Sequence, residues 1–193
     1  ASQVVSTIGA YNLPNLLPFI DRKEMASISN LTYAPVIQAS VGFKNTGTLR
    51  FNAFGGLVPS KEKKKILGIL FPSACFEGRA PEEGALFSFF MGGMKHQDLL
   101  QKGDEELINL IREELHLMLG FQKEIEPDLL KIFRHHRAIP QYELNSGKRF
   151  ETIEKLEKQY PGLHIAGNLK GGIGMADRIR QAKQLGLKLA KKE

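Results

Sequence analysis

Residues Gly162–Ile179 read GLHIAGNLKGGIGMADRI. Apolar Leu163 and Ile165 come first. Gly167, Gly171, Gly172 and Gly174 follow, and an amphipathic run opens near Met175. That order predicts a strand, a tight turn and a helix. Two readings of the turn stay open on spacing alone. It is a plain connection, or its glycines let a ligand approach the backbone while the free N–H groups of the first helical turn bind an anionic or electron-rich group. The spacing is not that of the GxGxxG dinucleotide fingerprint.

Working outward, MADRIRQAKQLGLKLAKK continues as the final helix. Upstream, RFETIEKLEKQYPG is helical, with Phe150, Ile153 and Leu156 inward and Pro161-Gly162 ending it. EIEPDLLKIFRHHRAIPQYE holds a strand centred on Leu130 to Arg134. GDEELINLIREELHLMLGF places Leu107, Ile111, Leu115 and Met118 on one helical face. Asp104, Glu105 and Glu106 sit in its first turn, where the helix dipole favours them, and Gly120 is its C-cap. The first half reads differently. Val4 to Ile8 is a short buried strand, followed by a turn and an apolar helical segment. APVIQASVGFK alternates as a half-buried strand; KKILGILF and ALFSFFMGG are further strands, joined by the turn-rich PSACFEGRAPEEG. The expectation there is an antiparallel meander.

Bulk properties bound the function. At 193 residues and 42% hydrophobic, the chain buries a real core. Cys75 is the one cysteine, which excludes an internal disulfide and a multi-cysteine zinc site; it has no activating neighbour in sequence. His135 and His136 are neighbours on a strand and point to opposite faces, so no metal is expected. No apolar run is long enough to cross a bilayer, and the N-terminus lacks a signal-peptide pattern. The net charge of +6 gathers in Lys61 to Lys65 and in the tail KLAKKE. Two short, separated clusters without interleaved aromatics read as a solvated loop tip and a helix end rather than a nucleic-acid footprint. The chain opens in a strand at Ala1, as a piece of a longer protein would.

The residues of the glycine stretch carry more than its spacing. GLHIAGNLKGGIGMADRI closely resembles the C-terminal flavin motif of the flavin amine oxidase superfamily, in its porphyrinogen-oxidising branch. Three more segments resemble the same branch in the same order: FGGLVPS (Phe54–Ser60) with the strand and loop after it, FFMGG (Phe89–Gly93) and AIPQY (Ala138–Tyr142). The opening VVSTIGAYNLPNLL is similar to that family's strand and following helix.

The resemblance implies the C-terminal part of an oxygen-dependent protoporphyrinogen or coproporphyrinogen oxidase. Its GxGxxG-bearing βαβ unit, which holds the ADP half of FAD, is absent from this chain. The implied fold is α+β: a mostly antiparallel substrate-domain sheet with helices at 33–139, and the C-terminal portion of an FAD-binding α/β domain at 1–32 and 140–193. Gly167 and Asn168 match positions near the cofactor phosphates, and Gly172, Ile173, Gly174 and Met175 match the turn near the flavin ring and ribityl chain. Phe54, Leu57 and Phe90 match residues flanking the macrocycle, while Phe87 and Phe89 are expected in the core. His135 stands where the family often has a flavin-packing tryptophan. Asp177 to Ala182 departs from the family's Asp-Cys-Ile-x-Ser-Gly. The implied partners are a porphyrinogen and O2, with no nucleic acid. The implied location is cytoplasmic, with peripheral membrane contact through other parts of the parent. No catalytic acid or base is named, because the cofactor carries the hard step. Arg79 is a candidate for a substrate propionate. The isolated chain is expected to bind FAD weakly or not at all. The rival readings are an amine oxidase or carotenoid desaturase of the same superfamily, or a non-enzymatic basic binding module.

Overall fold

A computed structural model describes residues 1–190. The basic tail residues Lys191 and Lys192 lie outside them. The chain is α+β and divides into two compact units, Ala1–Tyr33 with Ile139–Glu193, and Ala34–Ala138.

The first unit opens with strand β1 (Val4–Ser6), which pairs in parallel with β7 (Leu163–Ile165) in a two-stranded sheet. Short α1 (Leu13–Leu16) and α2 (Arg22–Ser29) follow β1, and α5 (Ser146–Gln159) precedes β7. Ile28 of α2, Ile153 and Leu156 of α5, and Ile165 of β7 close one apolar cluster with Leu13 and Leu169. Helix α2 was not among the expected elements, although its start signal is in the sequence. Asp21 Oδ1 accepts from the N–H groups of Lys23 at 2.9 Å and Glu24 at 3.2 Å, an N-cap worth ~1 kcal/mol. Two expectations need correction here. Val4 and Val5 are 47% and 43% exposed, so only Ser6 of β1 is buried. On α5, Arg149 takes a buried position in place of Phe150, because 149, 153 and 156 follow the i, i+4, i+7 spacing of one face.

The second unit is built on a five-stranded sheet in the order β3-β4-β5-β2-β6. The strands are β2 (Tyr33–Phe43), β3 (Gly55–Leu57), β4 (Ile66–Leu70), β5 (Ala85–Gly92) and β6 (Leu129–Pro140). The pairs β3–β4, β4–β5 and β2–β5 are antiparallel. β6 also runs opposite to β2: Gln141 N–H donates to Thr32 O just before β2, and Lys44 N–H to Asp128 Oδ2 just after it. The meander therefore holds for β3 to β5, while β2 lies beyond β5. A short helix, α3 (Pro72–Cys75), interrupts the loop after β4.

Alternation along β5 decides which face is core. Phe87, Phe89 and Met91 are fully buried, whereas Leu86, Ser88 and Phe90 are half-buried. Ile37, Ala39, Val41, Phe43 and Ile69 share the buried face. Helix α4 (Asp104–Leu119) covers it with Leu107, Ile111 and Leu115. Met118, expected inward, is 39% exposed. Gly120 ends the helix in the left-handed region at φ 76°, and Phe121 turns into the core instead, stacked on Phe43 at 4.2 Å between ring centroids. Glu114 is buried on the same helix and pairs with Lys64 at 2.7 Å.

Candidate active site

The glycine stretch folds as a strand, β7, a turn and a helix, α6 (Met175–Ala190). Backbone groups in the turn are used unevenly. Gly167 O accepts from Arg178 Nη1. Asn168 O and Gly172 O share the Tyr142 hydroxyl, at 2.8 and 3.2 Å. Leu169 O accepts from Arg149 Nε at 3.0 Å. Lys170 O accepts from Arg178 Nη2 at 3.0 Å and from Gln181 Nε2 at 3.1 Å. Gly174 O takes the first bond of the helix, from Arg178 N–H at 3.1 Å. The amides behave in the opposite way. Gly167 N–H donates to Gln181 Oε1 at 2.8 Å and Lys170 N–H closes a turn onto Gly167 O, but among the described residues those of Asn168, Leu169 and 171–175 find no protein acceptor. The turn thus ties its carbonyls to protein donors and leaves a run of donors at a helix N-terminus, an arrangement suited to an electron-rich or anionic group.

A cavity of about 630 Å³ adjoins the turn. Val5, Ala166, Asn168, Ile173, Ala182 and Leu185 are among its lining residues, and its wall is mostly apolar. The Ile173 side chain is half exposed and that of Met175 is 82% exposed. The Tyr33 hydroxyl accepts from Ala10 N–H at 3.0 Å and donates to Asn168 Oδ1 at 3.5 Å. Burial raises the hydroxyl pKa of both Tyr33 and Tyr142 above the ordinary tyrosine value and lowers that of the Arg149 guanidinium.

The residues expected at the macrocycle lie in the second unit. Leu57 pairs with Gly68, Gly68 with Phe90, and Phe90 with Gln38, so the four form one row across adjacent strands. The row stands on the sheet face opposite the core, since Phe89 and Ala39, one residue along, are fully buried. Gly68 is buried in the row, under Leu57 Cδ2 at 3.1 Å from where its Cβ would stand. A Cβ there would come within 2.6 Å of Gly56 O, so this is also the close approach of two backbones. Leu57 is 86% exposed and Phe54, just before β3, 71%. Gln38 Nε2 reaches Ser40 Oγ at 3.0 Å and Ser88 Oγ at 3.4 Å on the same face. His135 is exposed on β6, at the edge of this sheet.

The structure therefore gathers Gly167, Asn168, Gly172, Ile173, Gly174 and Met175 in one turn, and Leu57 with Phe90 in one row. Arg79 is exposed, with its guanidinium 5.9 Å from the Phe76 ring. Cys75 is exposed at the end of α3. Among the described residues there is no cluster able to hold a metal ion and no helix long and apolar enough to cross a membrane. Sequence reasoning gave no role to Tyr142, Arg149, Arg178 or Gln181. The i, i+3 spacing of Arg178 and Gln181 on the first turns of a helix that follows a glycine turn was the available signal, because that face looks back over the turn.

A family profile described as flavin containing amine oxidoreductase matches residues 1–177. The chain is 32% identical over 156 residues to protoporphyrinogen oxidase 2, chloroplastic/mitochondrial, of Arabidopsis thaliana, covering 79% of this chain and 30% of the relative. It is 34% identical over 156 residues to the mitochondrial protoporphyrinogen oxidase of Nicotiana tabacum, covering 79% of this chain and 31% of that one. A crystal structure from Exiguobacterium sp. 255-15 superposes with a TM-score of 0.79 at 21% identity, covering 100% of this chain and 42% of that one. The chain thus spans about a third of the length of the curated relatives it matches. An unpaired-amide turn at a helix N-terminus, beside a largely apolar cavity, fits a flavin nucleotide. The chain belongs to the flavin containing amine oxidoreductase family, a family of FAD-dependent oxidoreductases.

Proposed function

We propose that this chain is part of an FAD-dependent oxidase that converts protoporphyrinogen IX or coproporphyrinogen III to the porphyrin in haem biosynthesis, with O2 as acceptor. The observation that carries the reading is the 167–175 turn, whose carbonyls are held by Tyr142, Arg149, Arg178 and Gln181 while the amides of 171–175 find no protein acceptor among the described residues. The names of the plant relatives support the substrate class.

In this reading Gly167 shapes the turn, and Asn168, Gly172, Ile173, Gly174 and Met175 hold the cofactor. Their N–H groups stabilise negative charge that develops beside the helix N-terminus. FAD, when bound, supplies the hydride acceptor and the site of reoxidation by O2. Leu57 and Phe90, with Phe54 nearby in sequence, provide apolar walls for a flat macrocycle. The first unit and the second serve as the FAD-binding part and the substrate-binding part. The enzyme works in the cytoplasm, with peripheral contact at a membrane.

The test is aerobic oxidation by the intact enzyme, followed by porphyrin fluorescence. Either porphyrinogen should give porphyrin and hydrogen peroxide, and Leu57→Ala should raise KM more than it lowers kcat. Turnover of a primary amine with no turnover of either porphyrinogen would overturn the assignment.

A further inference from the structure

Arg149 is 4% exposed, and no carboxylate pairs with it among the described residues. A buried guanidinium without a counter-charge is costly unless other groups compensate it. Here the compensation comes from three sides. Nε donates to Leu169 O at 3.0 Å, and Nη2 donates to Ser146 Oγ at 3.1 Å. The Tyr142 and Phe150 rings each lie with their centroid 5.1 Å from the guanidinium carbon. The two rings also meet edge to face, 6.0 Å apart at 74°. The cation therefore fixes Tyr142 in place. The Tyr142 hydroxyl in turn brackets the turn by reaching Asn168 O and Gly172 O, four residues apart. A single O–H spans both carbonyls, so a small rotation of the ring would release one of them.

We propose that Arg149 and Tyr142 are a positioning pair that sets the direction of the amides of residues 168–175, and thereby the affinity for FAD; this rests on the reading of that turn as the cofactor site. Neither residue supplies an amide donor of its own to the site. Arg149 holds the ring and Leu169 O, and Tyr142 holds Asn168 O and Gly172 O. With those three carbonyls fixed on the protein side, the intervening peptide planes have their N–H groups directed away from it. The pair works as one unit because the same guanidinium touches both the turn and the residue that closes it.

The test uses the intact enzyme and FAD itself. Tyr142→Phe keeps the ring between Arg149 and Phe150 and removes only the hydroxyl. It should weaken FAD binding about tenfold, the size of one lost hydrogen bond, with the melting temperature of the apoprotein nearly unchanged. The visible absorption bands of the flavin that still binds should shift, because donors to it have moved. Arg149→Lys keeps the charge but not the planar stack or the fork of donors, and should weaken binding by a similar factor. The double variant should be no worse than the weaker-binding single variant, since both act through one element. Arg149→Ala risks misfolding, and the proposal does not depend on it. Unchanged affinity and spectrum in Tyr142→Phe would overturn the proposal, as would single-variant effects that simply multiply. If the unaltered enzyme fails to take up FAD, it is the reading of the turn as a cofactor site that falls, and this proposal falls with it.

Discussion

Replacing Gly172 by alanine tests whether the backbone of the turn must be as it is. Gly172 has φ +99°, a conformation that side chains of L-residues rarely adopt. An added Cβ would also stand 2.3 Å from Asp177 Oδ2 and 2.5 Å from its Cγ. Asp177 can swing away only by leaving Arg180, an exposed ion pair at 3.3 Å worth ~0.3–0.5 kcal/mol. The backbone strain is larger, about 1–3 kcal/mol. If it falls on the folded turn, FAD affinity drops by roughly 5- to 150-fold. Stability changes less than affinity if the turn opens locally, and at most the melting temperature falls by about 2–4 °C per kcal/mol. Gly174→Ala is the control. Its φ is not in the restricted region, and its Cβ would meet Asp177 Oδ2 at 3.4 Å, an ordinary contact. Its apoprotein should melt as the unaltered protein does. Gly172→Ala/Asp177→Ala removes the carboxylate contacts but leaves the φ and the Cβ of residue 177 at 2.9 Å, and should recover only part of the loss. Dissociation constants from flavin fluorescence quenching decide the matter. Gly172→Ala binding FAD as tightly as the unaltered enzyme would refute the argument that this turn is held in one conformation.

Two further outcomes follow from the same contacts. Tyr33 and Tyr142 have hydroxyl pKa values raised above 10.0 by burial, so what they contribute to stability is full below the unfolded value and is lost as pH rises through the higher folded one. An ultraviolet titration of tyrosinate should show a late phase, and Tyr142→Phe should remove one residue from it; no change in that phase would contradict the burial argument. Lys64→Met strips the partner from buried Glu114 and should cost ~1–3 kcal/mol in chemical denaturation, while adding Glu114→Leu should restore most of the loss. A single variant as stable as the unaltered protein would show that the pair carries no load.

Much of this fold was legible because local rules and packing agree. Leu107, Ile111 and Leu115 face the core as their spacing requires, and Phe87 and Phe89 alternate inward on β5. The turn at Gly167–Gly174 and the start of α6 at Met175 follow from glycine and amphipathic patterning alone. What escaped was long-range. Nothing in APVIQASVGFK says that its neighbours will be β5 and β6, because antiparallel pairing is fixed by tertiary register rather than by the strand's own pattern. Met118 lost its core place to Phe121, which lies past the helix end and so outside any helical periodicity. Arg149, to which the sequence assigned no role, is buried because two aromatic rings and a turn carbonyl replace its water. The same limit applies to the candidate site. The motif located the turn, but the side chains that hold its carbonyls come from α5, α6 and the segment after β6, and only the fold brings them together.

The central claim is that the amides of the 168–175 turn receive FAD. Amide hydrogen exchange of the intact enzyme, with and without saturating FAD, measures this directly. The account predicts strong protection of these amides on FAD addition, beyond any change in β3 or β6. Saturating FAD that protects other segments and leaves this turn exchanging as in the apoprotein would contradict it.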